Sequence, residues 1–124
     1  MQFINAKNAP KAIGPYSQAI IHHDMVFTSG QIALIPETMK ITEGGIEAQT
    51  AQVLKNLDEV LAEAGSSKDK VIKTTIFLKD MEDFHIVNKI YSDFFGEHKP
   101  ARSTVQVSRL PKDVLVEIDV IAKI

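Results

Sequence analysis

Cysteine is missing from all 124 residues. Its absence excludes disulfides, zinc–thiolate sites and cysteine nucleophiles, and it suits a reducing, cytoplasmic setting. A basic excess is also missing. The 14 Lys and Arg against 16 Asp and Glu give a net charge of −2, with no cationic run, so no nucleic-acid partner is expected. No apolar run approaches the ~20 residues of a membrane span. Met1 to Gly14 has no apolar centre of the kind a secretory signal carries, so no membrane partner is expected either. Repeats and low-complexity segments are absent. The Gly-x-Ser-x-Gly elbow of a serine hydrolase is absent too. Gly44-Gly45 does not follow a strand and meets no phosphate-loop pattern. His22 and His23 are adjacent and would point to opposite faces of a strand, while His85 and His98 stand alone, so no metal site is expected.

What is present fits one globular domain over residues 1–124, with 44% apolar and 24% charged residues. Gln2–Ile4, Ala19–Ile21 and Met25–Ser29 read as strands, the last two joined by a turn at His22-His23-Asp24. Ile32–Leu34 would continue the third past a kink at Gly30. Leu54, Leu57, Leu61 and Ala64, with Val53 and Val60 beside them, recur at helical spacing and predict a helix over Ile46–Ala64, ended by Gly65. Val71–Leu78 reads as a strand. Asp80 is placed to cap a second helix carrying Phe84, Val87, Tyr91 and Phe94 on one side and stopped by Gly96. Two more strands follow, Pro100–Val107 and Val114–Ala122. The expected fold is α+β, with order β-β-β-α-β-α-β-β. Two helices cover only one face of such a sheet. The strands Val71–Leu78 and Val114–Ala122 are apolar on both sides, so an oligomer packed through the open face is expected, against a monomer with one lightly apolar wet face.

The last two strands each carry a charge that a buried strand holds only when it is paired or used. These are Arg102 and Glu117. The short connection Ser108–Asp113 predicts that the two strands are antiparallel neighbours, which would let Arg102 and Glu117 line one polar pocket; a surface ion pair is the alternative. A guanidinium fork suits a carboxylate ligand, and Thr104 lies on the same face as Arg102. A glutamate nearby can take and return a proton. Such a site suits a small 2-oxo, 2-imino or 2-enamino acid.

Several blocks carry a resemblance: Ala12-Ile13-Gly14-Pro15-Tyr16-Ser17-Gln18-Ala19, Phe27-Thr28-Ser29-Gly30-Gln31, Ala48-Gln49-Thr50, Lys73-Thr74-Thr75-Ile76-Phe77-Leu78, Val87-Asn88-Lys89-Ile90-Tyr91, Pro100-Ala101-Arg102-Ser103-Thr104 and Val116-Glu117-Ile118-Asp119. Together they resemble the RidA family, formerly YjgF, over nearly the whole chain. The resemblance implies a chorismate-mutase-like mixed sheet of about six strands with both helices on one face. It implies a homotrimer with a barrel-like centre and sites in the clefts between subunits. The implied activity is cofactor-free hydrolysis of 2-enamino and 2-imino acids, such as 2-iminobutanoate and 2-iminopropanoate, to 2-oxo acids and ammonia. Arg102 matches the arginine that holds the substrate carboxylate, and Glu117 the glutamate that positions water. Tyr16, Ser29, Gly30 and Asn88 match cleft-lining positions. Thr104 stands where many members have cysteine, which puts any thiol role in doubt but leaves the hydrolysis intact. A second expectation is a regulatory or chaperone-like protein that binds small carboxylates without turnover.

Overall fold

Val116–Lys123, which alternates buried apolar residues with polar and half-buried ones, lies inside the sheet of a computed structural model that describes residues 1–124. The strands are β1 (Gln2–Ile4), β2 (Ala19–His22), β3 (Met25–Thr28), β4 (Val71–Leu78), β5 (Ala101–Gln106) and β6 (Val116–Lys123). The helices are α1 (Gly45–Glu63) and α2 (Phe84–Phe95). The six strands are ordered β1-β2-β3-β6-β4-β5, antiparallel except for the parallel pair β4–β5. The expected α+β class, the six strands and the two helices are therefore all present.

One neighbour relation differs from expectation. β5 and β6 are not partners, because β4 lies between them. The helix α2 carries the chain from the end of β4 back to the start of β5, and such a crossover yields a parallel neighbour. The polar β5 then takes the sheet edge, while β6, with Val116, Ile118, Val120 and Ala122 all buried, takes an inner position. The loop from Val107 to Leu115 spans the width of β4.

The helices lie on one face. Val53, Leu57, Val60 and Leu61 of α1 join Val26, Ile76, Leu78, Val116, Ile118 and Val120 in one core. Gly65, at φ 79°, ends α1 in the left-handed region, and the Ser66 N–H closes back on the Leu61 carbonyl at 2.9 Å. Asp80 accepts from the Glu82 N–H at 2.9 Å, capping the 3-10 turn that leads into α2. The buried stripe of α2 is Val87, Tyr91 and Phe95 rather than Phe94.

A register shift between Val71 and Lys73 bulges β4. It turns Val71 inward with Thr74, Ile76 and Leu78, and leaves Ile72 44% exposed. Straight alternation would place Ile72 with Ile76 and Leu78; the inserted residue reverses that phase. No helix is long and apolar enough to cross a membrane.

Candidate active site

The structure builds two half-sites on opposite faces of the sheet. Glu117 alternates with the buried Val116 and Ile118 on β6, so its side chain points away from the helices. Beneath it runs the segment that follows β3, joined to β6 by Gln31 N–H to Ile118 C=O at 2.9 Å and Ile118 N–H to Gln31 C=O at 3.2 Å. This pairing brings Gly30 under the carboxyl group. A methyl at Gly30 would sit 2.7 Å from Glu117 Cδ, with a carboxylate oxygen nearer still, so any larger residue here would push the carboxyl aside. Ser29 is fixed by its N–H to the Gln18 carbonyl at 2.9 Å and by its hydroxyl to the Ser17 carbonyl. Buried Gln18 in turn donates to the Pro10 carbonyl at 2.8 Å and the Ala6 carbonyl at 3.2 Å, holding the loop that precedes β2. Tyr16, Ser29, Gly30 and Glu117 thereby line one cleft of 380 Å³.

Electrostatics suit a base in that cleft. Burial pushes the Glu117 carboxyl above its ordinary range, and Asp119, on the same face of β6, adds to the rise. No cation of the same chain pairs with it.

Arg102 lies in register with Thr74 of β4 and shares its helix-facing side. Its Nη1 donates to Asn88 Oδ1 at 2.7 Å. Its guanidinium carbon stands 4.9 Å from the ring centre of Tyr91 and 5.5 Å from that of Phe84, within cation–π range. Tyr91 is held by a 2.7 Å hydrogen bond between its hydroxyl and Thr74 Oγ1, and burial raises its pKa, so the phenol stays neutral beside the arginine. Thr104 lies in register with Ile76 on the same face as Arg102. Its Oγ1 is buried without a hydrogen-bond partner, an uncommon condition for a hydroxyl. Asn88, Tyr91 and Arg102 line a second cleft, also of 380 Å³.

Within one chain, then, Tyr16, Ser29, Gly30 and Glu117 come together, and Asn88, Arg102 and Thr104 come together, but the two groups do not meet. β4 separates them laterally and the sheet separates them in depth. The expected single-chain pocket with Arg102 beside Glu117 is replaced by two partial ones, and the alternative of an Arg102–Glu117 surface ion pair does not occur. Asn88 both lines the second cleft and holds the arginine. Tyr91 and Phe84 were not singled out for the site. The available signal was the spacing of Asn88 and Tyr91, three apart on one helix face.

Comparison with known proteins decides the family. Residues 6–124 match the family model described as Endoribonuclease L-PSP. The chain belongs to that family. A RutC family protein of Synechocystis is 56% identical over 124 residues, covering 98% of this chain and 95% of that protein. The chloroplastic Reactive Intermediate Deaminase A of Arabidopsis thaliana is 48% identical over 121 residues, 98% of this chain and 65% of that protein. The crystal structure of E. coli TdcF with bound serine superposes with a TM-score of 0.95 at 43% identity, covering 100% of this chain and 99% of that one. The resemblance to RidA drawn from the motifs is thus one of family membership, and Rid-type relatives share its fold.

Proposed function

We propose that this L-PSP family chain hydrolyses reactive 2-imino and 2-enamino acids to 2-oxo acids and ammonia, in clefts that two copies of a homotrimer form together. The observation that carries the proposal is the splitting of complementary machinery between two faces: a pre-oriented guanidinium on one, a desolvated carboxylate on the other. Two copies packed through their open sheet faces and edges bring one copy's Arg102 to the other's Glu117.

In this reading Arg102 grips the substrate carboxylate with the N–H groups that Asn88 leaves free, and the Thr104 hydroxyl gains its missing partner. An enamine first takes a proton from solvent at C3 to become the protonated imine. Water then attacks C2 as Glu117 accepts its proton, which gives a carbinolamine. Glu117 returns that proton to nitrogen, the C–N bond breaks as the hydroxyl gives its proton to Glu117 and on to the departing ammonia, and the 2-oxo acid and ammonium leave. Tyr16, Ser29 and the Gly30 backbone shape the wall around the reacting carbon. The substrates hydrolyse unaided in water, so clamping, desolvation and a poised water need supply only a few kcal/mol. No cofactor enters these steps.

Support comes from the deaminase name carried by the Arabidopsis relative and from serine, a small amino acid, in the TdcF structure. The family description names an endoribonuclease, but a net charge of −2 gives little of the phosphate attraction that RNA binding rests on. The test is release of ammonia and 2-oxobutanoate when 2-iminobutanoate is generated in situ. Acceleration over the uncatalysed rate supports the proposal; binding of 2-oxobutanoate without acceleration makes the chain a metabolite-binding protein instead.

A further inference from the structure

Three lysines, Lys7, Lys11 and Lys112, line one open cleft of 680 Å³, with Glu37 the sole acidic residue in its wall. Lys11 and Lys112 also line the cleft that holds Glu117, so the basic surface continues outward from the mouth of the candidate site. None of the three joins either ion pair of the chain, Lys89–Asp93 or Arg109–Asp113. A chain with net charge −2 has concentrated unpaired positive charge at one opening.

The backbone supplies a second observation. Lys112 has φ 56° and Asp113 φ 55°, two successive non-glycine residues in the left-handed region, where side chains are strained. The turn is held by Arg109, which donates to both carboxylate oxygens of Asp113 at 2.6 and 3.2 Å, and by the Asp113 N–H on the Leu110 carbonyl at 3.0 Å. Lys112 is exposed, so no packing explains a lysine where glycine would be relaxed.

We propose that Lys11 and Lys112, backed by Lys7, form a cationic funnel that captures small anionic carboxylates ahead of Arg102. The strained turn holds Lys112 where the two clefts meet. The inference rests on the function proposed above. A carboxylate nearing the mouth comes within a Debye length of the lysines, ~8 Å at physiological salt. Clefts lined by one sign of charge raise capture by about 10–10³-fold, and three exposed lysines belong at the low end.

The test compares the parent, the triple variant Lys7→Gln/Lys11→Gln/Lys112→Gln and the single variant Lys112→Gly. Rates on 2-iminobutanoate generated in situ are measured from low to high potassium chloride, alongside calorimetric binding of 2-oxobutanoate. The parent's kcat/KM should fall with salt. The triple variant should start roughly 10-fold lower in kcat/KM at low salt and show a flattened salt dependence. Lys112→Gly should lower low-salt kcat/KM yet raise the unfolding temperature, because glycine relaxes the turn. A triple variant with the parent's kcat/KM and salt dependence overturns the funnel, and a lowered unfolding temperature for Lys112→Gly overturns the strain argument. A parent that binds 2-oxobutanoate without releasing ammonia removes the deaminase reading alone, and the funnel is then judged by the salt dependence of that affinity. A parent that neither binds nor turns over removes both.

Discussion

Glu117 and Gly30 form a unit at the scale of single residues. The carboxyl lies against a glycine that leaves no room for a methyl, so Gly30→Ala should push Glu117 off its position. We expect kcat to fall at least ~10-fold, as misplacing a reacting group does, with circular dichroism unchanged; a fully active Gly30→Ala would detach Glu117 from the chemistry. Burial and Asp119 raise the Glu117 pKa, and the base works only when ionised. Activity should therefore be lost as pH falls through a value above the ordinary carboxylate range, and Asp119→Asn should move that limb toward lower pH. A pH–rate profile with its acid limb in the ordinary range, unmoved by Asp119→Asn, would contradict this. Arg102→Lys keeps the charge but loses the fork and the flat contact with Tyr91 and Phe84, so binding of 2-oxobutanoate should collapse in calorimetry. The residue types at Arg102 and Glu117 were readable from the sequence because a charge in an apolar strand demands a reason. Their separation was not, since it depends on which strands are neighbours.

That dependence belongs to the elements. The helices and strands were legible because their spacing, capping and stop residues agree: Leu54, Leu57 and Leu61 fall on one side, and Gly65 and Gly96 fall just past the ends. The position of β4 between β5 and β6 was hidden by the short connection Val107–Leu115, which looks like a hairpin and spans a neighbouring strand instead. The bulge at Ile72 was hidden too, because one inserted residue reverses a phase that apolar content alone does not mark. β6 is the element on which both the core and the base depend. Ile118 is fully buried, and Ile118→Ala should cost about 2–5 kcal/mol in denaturant unfolding; a cost near zero would contradict the inner place of β6 in the core.

At the scale of the whole molecule, the sheet face opposite the helices carries Phe3, Phe27 and Val105 at 68%, 43% and 42% exposure, a surface that calls for a partner. Light scattering should give three times the chain mass of 13.7 kDa at micromolar concentration, and a stable monomer would contradict the assembly. The central claim is that each site takes Arg102 from one copy and Glu117 from another, and subunit mixing tests it most directly. Arg102→Lys and Glu117→Gln are each expected to lose turnover, the latter by roughly 10²–10⁴. Unfolded together in equal amounts and refolded as mixed trimers, they should recover about a quarter of parental activity, because one site in four then joins an intact arginine to an intact glutamate across an interface. Mixed trimers as inactive as either variant alone would contradict the account.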